Sequence, residues 1–179
     1  MKKIILFIMS ILLTQCFKVF DDELSLPLTT YTGNQIRIDG YYYTIGSVYD
    51  VDKDAILEGV IIDSYFFYEN GIVLNMYGVE NSLEEMDETI EKFRSAKRVY
   101  DTKYGWGVFV IEGNILKFEL WMPGTPRRAF VNECVILNDT TFHIIKSYRS
   151  NKTEEREENE LYYFRSYSPK PDSTNRFTP

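Results

Sequence analysis

From residue 36 onward, apolar and polar positions alternate in short runs that break at turn residues, a period of two that predicts β-strands. Residues 36–45 are β-branched and aromatic, the types that fit a pleated, half-buried surface. Residues 60–68 form a second such run, and Asn70-Gly71 follows it directly. Both turn residues tolerate positive φ, so the pair predicts a tight hairpin with residues 72–77 as the returning strand. Residues 107–111 and 115–121 make another hairpin through Glu112-Gly113-Asn114, and 130–137 and 140–148 a further one through Asn138-Asp139. In the run 115–121, Leu116, Phe118 and Leu120 alternate with Lys117, Glu119 and Trp121, which predicts one face to the core and one to water. A last strand covers 161–167. Residues 50–58 and 151–160 read as charged connections, the latter a solvated loop rich in Glu.

One linker changes period. Leu83, Met86, Ile90, Phe93, Ala96 and Tyr100 share a face at helical spacing, and Ser82 with Glu85 fits a capping box that opens the helix. Acidic residues crowd its first half and basic ones its second, which complements the helix dipole, and Glu88 with Lys92 adds a favourable pair four apart. Gly105 is placed to end the element. Parallel strand pairs need crossovers of about a dozen residues, and only this linker is long enough. The predicted fold is therefore mainly β: an eight-stranded antiparallel meander, closed as a barrel or left as a curved sheet, with one amphipathic helix after the third strand.

The N-terminus has a different pattern. Lys2 and Lys3 precede a short apolar run over residues 4–13, too brief to span a bilayer and typical of a secretory signal. The run ends in Leu13-Thr14-Gln15-Cys16, which resembles the lipobox of bacterial lipoproteins, with Gln15 where a small residue is usual. The acidic cluster Asp21-Asp22-Glu23 is similar to the surface-export tract of Bacteroidota-type lipoproteins. The resemblance implies cleavage before Cys16, lipid modification of Cys16, and attachment to the cell envelope at the outer membrane. The organisation that follows is a signal peptide over 1–15, an acidic tether over 16–33, a barrel-like domain over 34–167 and a flexible tail over 168–179, which Phe177 could dock. Cleavage would leave Cys134 as the one cysteine of the mature chain, so the core and not a disulfide must stabilise it.

Charge and composition then narrow the function. The chain has 179 residues, 20 Lys plus Arg against 27 Asp plus Glu and a formal charge of -7, which predicts no nucleic-acid partner because phosphate binding needs clustered Lys and Arg. A single His and two Cys offer little for a zinc site or a His-based triad, so no metal, cofactor or catalytic residue is predicted. His143 sits between Phe142 and Ile144 and faces the opposite side of the sheet from both. Among the many carboxylates, Asp39 and Asp63 lie within predicted strands and are read first as outward-facing or turn residues. Cys134 reads as a small buried hydrophobe.

The unusual feature is 14 Tyr and 12 Phe against 2 Trp. Tyr41-Tyr42-Tyr43, Tyr65-Phe66-Phe67-Tyr68 and Tyr162-Tyr163-Phe164 place aromatics on both faces of their strands, one to fill the core and the other to pack against the helix or bind a partner. The order of elements over residues 34–167 resembles the lipocalin-like barrels found among bacterial lipoproteins, with Gly40-Tyr41-Tyr42 where lipocalins carry Gly-x-Trp at the first strand. That resemblance implies a small apolar ligand inside the barrel, for which Tyr42 and Trp106 are the candidate contacts. Trp106, beside Gly105 and Gly107, is expected at a cavity mouth, and Trp121 is expected to face outward. The alternatives are a protein- or glycan-interaction module with a packed core, and a carboxylate-based envelope hydrolase.

Overall fold

The computed structural model describes residues 20–50, 55–96 and 102–178; Cys16 and the signal lie outside the described residues. The strands are β1 (Gly40–Asp50), β2 (Ala55–Phe67), β3 (Ile72–Glu80), β4 (Trp106–Glu112), β5 (Ile115–Trp121), β6 (Ala129–Asn138), β7 (Thr141–Arg149) and β8 (Glu155–Ser166), with helix α1 (Leu83–Ser95) between β3 and β4. Each strand pairs antiparallel with the next and β8 returns to β1, so the meander is a closed eight-stranded barrel. Closure pairs the first and last strands over Gly40 to Tyr43, edges that a curved sheet would expose along their whole length.

Strand alternation divides the aromatics between two cores. Tyr42, Tyr65, Phe67, Phe118, Phe142 and Tyr162 point into the barrel and pack against one another. The rings of Phe142 and Tyr162 stack at 5.1 Å, and Tyr65 meets Phe118 at 4.6 Å. Tyr41, Phe66, Leu74, Trp106 and Trp121 point outward into a second cluster, which Met86 and Ile90 of α1 cover. The helix is capped as its sequence indicates, with Glu85 N–H donating to Ser82 Oγ at 3.2 Å. The reciprocal arm reaches one residue further back: Glu85 Oε2 accepts from Asn81 N–H at 2.8 Å. The described helix ends at Ser95, where Ala96 N–H turns back to Phe93 O, and the expected contributions of Lys97, Arg98 and Tyr100 fall outside the described residues.

The two ends of the barrel differ. At one end lie the tight turns, and residues 29–38 cross beneath it. Tyr31 N–H donates to Glu69 O at 2.7 Å, Arg37 N–H to Asp139 O at 3.1 Å, and Ile36 is 3% exposed among the interior rings. Gly71 serves both the turn and this crossing: its φ is +81°, and a Cβ there would lie 2.2 Å from Thr29 O. At the other end are the longer connections, β3–α1–β4, β5–β6 and β7–β8.

From residue 20 the segment expected as a tether lies against the barrel wall. Asp22 accepts both Arg149 Nε and Nη2 at 2.9 Å and also Ala129 N–H, while Trp121 Nε1 donates to Asp22 O at 2.8 Å. Further along, Ser25 and Leu26 N–H donate to Glu119 Oε2 at 2.7 Å each. The outer face of β5 is therefore covered, and Glu119 and Trp121 are buried where alternation alone predicted contact with water. The C-terminal residues expected as a flexible tail are also held. Tyr68 Oη donates to Pro171 O at 3.0 Å, Lys170 Nζ donates to the carbonyls of Ile38 and Phe67, and Phe177 packs on the outer cluster. Burial pushes the Lys170 ammonium down to about 8. The Glu-rich stretch begins as strand at Glu155, because Lys146 and Arg128 take up charge from Glu155 and Glu154 and the backbone pairs with β7.

Asp22→Asn keeps the shape of the clamp and removes its charge, so it should lower stability by about 2 kcal/mol at neutral pH. Hydrogen bonding from Arg149 holds the Asp22 carboxyl below its ordinary 3.8. Its contribution is complete above that value and is lost as pH falls through the lower folded-state pKa. In denaturant titrations the gap between variant and wild type should therefore close in acid. A gap indifferent to acid would mean that the segment holds by packing alone.

Candidate functional site at the open end of the barrel

The interior rings stop short of the open end. Above Tyr65 and Tyr162 two adjoining cavities of about 450 and 390 Å³ share Asp63, Tyr65, Met122, Pro123 and Glu160 as walls. β2 brings Asp63 and Tyr65 to the inside two residues apart, and β8 does the same with Glu160 and Tyr162. β3 supplies Asn75, at the point where its ladder to β4 ends: the last pair is Leu74 with Trp106, after which Asn75 N–H bonds Gly105 O at 2.8 Å.

These groups converge on the Asp63 carboxyl. Asn75 Nδ2 donates to Oδ1 at 2.5 Å, and Tyr162 Oη and Tyr65 Oη donate to Oδ2 at 2.8 and 3.2 Å. Tyr162 Oη also lies 3.2 Å from Glu160 Oε2, so one phenol stands between two carboxyls. All three donors to Asp63 are neutral, and no Lys or Arg among the described residues forms an ion pair with it. Burial pushes the Asp63 carboxyl above its ordinary 3.8, the negative charge of Glu160 adds to this, and the three hydrogen bonds hold it back. Burial likewise raises both phenols, so Tyr65 and Tyr162 remain protonated donors at neutral pH. At the rim, Arg156 pairs with Glu158 on the same strand.

The arrangement suits holding a positively charged or N–H-bearing group. It suits hydrolysis poorly. Paired carboxylates that cleave a bond flank it with space for substrate and water between them, whereas here the Tyr162 hydroxyl fills that position. Among the described residues no group of His, Cys, Asp and Glu is placed to hold a metal ion.

The residues singled out from sequence fall in different places. Tyr42 is 1% exposed deep in the aromatic interior, its hydroxyl donating to Asp139 O at the closed end. Trp106 is fully buried in the outer cluster, not at a cavity mouth. The structure brings neither to the cavities above Tyr65 and Tyr162. Cys134 is buried in the interior, where burial pushes its thiol up. His143 faces outward and meets Asn159 Oδ1 at 2.8 Å. Asp39 pairs with Arg37 at the surface, as the simple reading held, but Asp63 turns inward. Asn75 and Glu160 carried no sequence signal. Alternation from Tyr162 would have placed Glu160 inside, had residues 155–160 been read as strand. A scan against protein-family models, a search of curated proteins and a search of solved structures each found no match.

Because the folded-state pKa of Asp63 is raised, the folded chain is most stable while this group is protonated and loses stability as pH climbs from 3.8 through the folded value. Asp63→Asn is uncharged throughout and escapes that loss. Thermal melts should show the variant gaining on the wild type across this window and holding a constant lead above it. A lead that does not vary with pH would place the titration of Asp63 at its unfolded value.

Proposed function

We propose that the chain is an exported lipoprotein, held at the envelope's outer membrane through acyl chains on Cys16, whose barrel binds a small ligand at its open end. The ligand offers an ammonium or another N–H group to Asp63 and lays an apolar body on the rings of Tyr65 and Tyr162. One observation carries this reading: a half-buried carboxyl in the wall of a cavity, bonded among the described residues only to neutral donors. A concave site with an apolar floor and a few convergent polar groups is what a small-molecule site requires. The interior below is filled by side chains, so the reading puts the ligand at the mouth and not within the barrel. The lipobox-like Leu13-Thr14-Gln15-Cys16 supports the anchor. Asp22 is bonded beside the rim through Arg127, Ala129 and Arg149. A lipid on Cys16 would thus hold the mouth within about 20 Å of the bilayer, the reach of the intervening chain.

Two measurements test the two halves. Cys16→Ser should release the protein from the membrane fraction, and the wild-type mass should carry acyl chains. A variant that still sediments with membranes at high salt, beside an unacylated wild type, ends the anchor proposal. For the mouth, phenethylamine and 3-phenylpropionate offer similar rings and opposite charges. The amine should raise the melting temperature by mass action, the acid should not, and Asp63→Asn should abolish the difference. Equal effects of both compounds, or an unchanged response in Asp63→Asn, would overturn it.

A further inference from the structure

β1 and β8 are hydrogen-bonded neighbours over a short seam, from Gly40 opposite Ser166 to Tyr43 opposite Tyr163. Yet β1 runs on to Asp50 and β8 begins at Glu155. Past the seam β1 keeps β2 as a partner as far as Asp50, and β8 keeps β7 as far as Glu155. Among the described residues, each strand therefore turns one edge without a strand partner toward the same gap. The gap is a groove of about 630 Å³, walled by Thr44, Ile45 and Gly46 on one side and by Glu160, Leu161 and Tyr163 on the other. Its outer lip is apolar and open, with Ile45 54%, Leu161 39% and Tyr163 47% exposed. Its inner side is continuous with the Asp63 cavity, since Thr44, Gly46 and Glu160 line both. A Cβ built on Gly46 meets nothing within 4 Å, so the inner side of β1 at this position opens into free space.

Strand edges with free N–H and C=O groups are templates for another strand. We propose that this slot takes an extended peptide segment, hydrogen-bonded along the free edge of β1 and lying against β8. Side chains of an extended peptide alternate. Those facing inward enter the cavity of Asp63 and Glu160 and are therefore Lys or Arg; those facing outward rest on Ile45, Leu161 and Tyr163 and are therefore apolar. This deepens the mouth reading and rests on it, because the basic side chain is the ammonium that Asp63 receives. The backbone supplies most of the contact, and the inward charge selects the sequence.

The test uses a fluorescent heptapeptide, capped at both ends, with Lys at alternate positions between Val residues. The full chain should bind it saturably, and hydrogen exchange at the amides of Ile45 and Ser47, which alternate with those bonded to β2 and so face the gap, should slow on binding. Replacing each Lys by Glu should weaken binding at least tenfold. Methylating alternate backbone nitrogens, which removes donors and leaves the side chains, should do the same. Gly46→Phe, whose ring enters open space, should melt normally and fail to bind. Undiminished binding of the N-methylated peptide would overturn strand addition, as would phosphatidylethanolamine vesicles slowing the same amides while the peptide does not. Phenethylamine binding without any peptide binding would sink the slot and leave the mouth reading intact; loss of both would end the two together.

Discussion

Four residue pairs close this barrel, and the first of them depends on a missing side chain. At Gly40, opposite Ser166, a Cβ would lie 2.0 Å from Arg165 O and 2.8 Å from the Phe164 ring. A backbone oxygen cannot step aside as a flexible side chain can, so any larger residue would force the first and last strands apart. The seam is braced on both surfaces. Inside, the rings of Tyr42 and Phe164 meet across it at 5.3 Å. Outside, Asp87 of α1 accepts from Tyr41 Oη at 2.8 Å and from Arg165 Nη2 at 2.7 Å, which ties both strands to the helix. The helix thus clasps the join that turns a sheet into a barrel. The same shortness that makes the seam need bracing leaves the rest of both strand edges apart, and the groove beside Gly46 follows from it.

Closure also decides what the aromatic residues can be. In an open sheet, tyrosines on both faces of β1, β2 and β8 would leave one face wet. In the barrel they become an interior plug and an outer layer, and each needs a cover. The chain supplies these from its own ends. Residues 20–38 run from the rim by Arg149 down past Glu119 and under the closed end, and residues 168–178 return across Tyr68. Glu119 shows how complete the cover is. It is a fully buried carboxylate held by the N–H groups of Ser25 and Leu26 and the hydroxyl of Ser150, so the segment satisfies a charge that the wall alone would leave bare.

The strands, their order and the helix were legible because each carries a local signal: alternation, the Asn70-Gly71 turn, the Ser82 cap. What escaped depended on contacts distant in sequence. Nothing near Asp22 announces Arg149, and the polar character of residues 20–33 resembles a free linker until that partner is known. Residues 151–160 read as loop because the five consecutive charges from Glu154 to Glu158 suggest solvent, yet Arg156, Glu158 and Glu160 line the cavity and only the pairing with β7 reveals it. The glycines on either side of Trp106 suggest a cavity mouth. Gly107 in fact lets β4 approach β5, since a Cβ there would fall 1.7 Å from Glu119 O, and the indole goes to the outer layer. For the site, Asp63 was visible as a strand carboxylate but its direction was not, because a strand's facing is set by the register of its neighbours.

The mouth grows out of the plug beneath it. Tyr65 and Tyr162 belong to the interior through their rings and to the cavity through their hydroxyls, so the packing that fills the barrel also aims two donors at Asp63. Neutral donors stabilise a half-buried carboxylate by local dipoles but leave its charge uncompensated. Glu160, linked through the same phenol, adds to that charge. A chain selected for stability alone would place a hydrophobic residue here, or pair Asp63 with an arginine as it pairs Asp22 with Arg149. An inward acid at the end of a packed barrel, supported by three neutral donors and paired with no cation among the described residues, is a cost the fold bears in the wall of an open cavity. A positive group arriving from outside would relieve it, and the affinity for that group would come from strain already present in the empty protein.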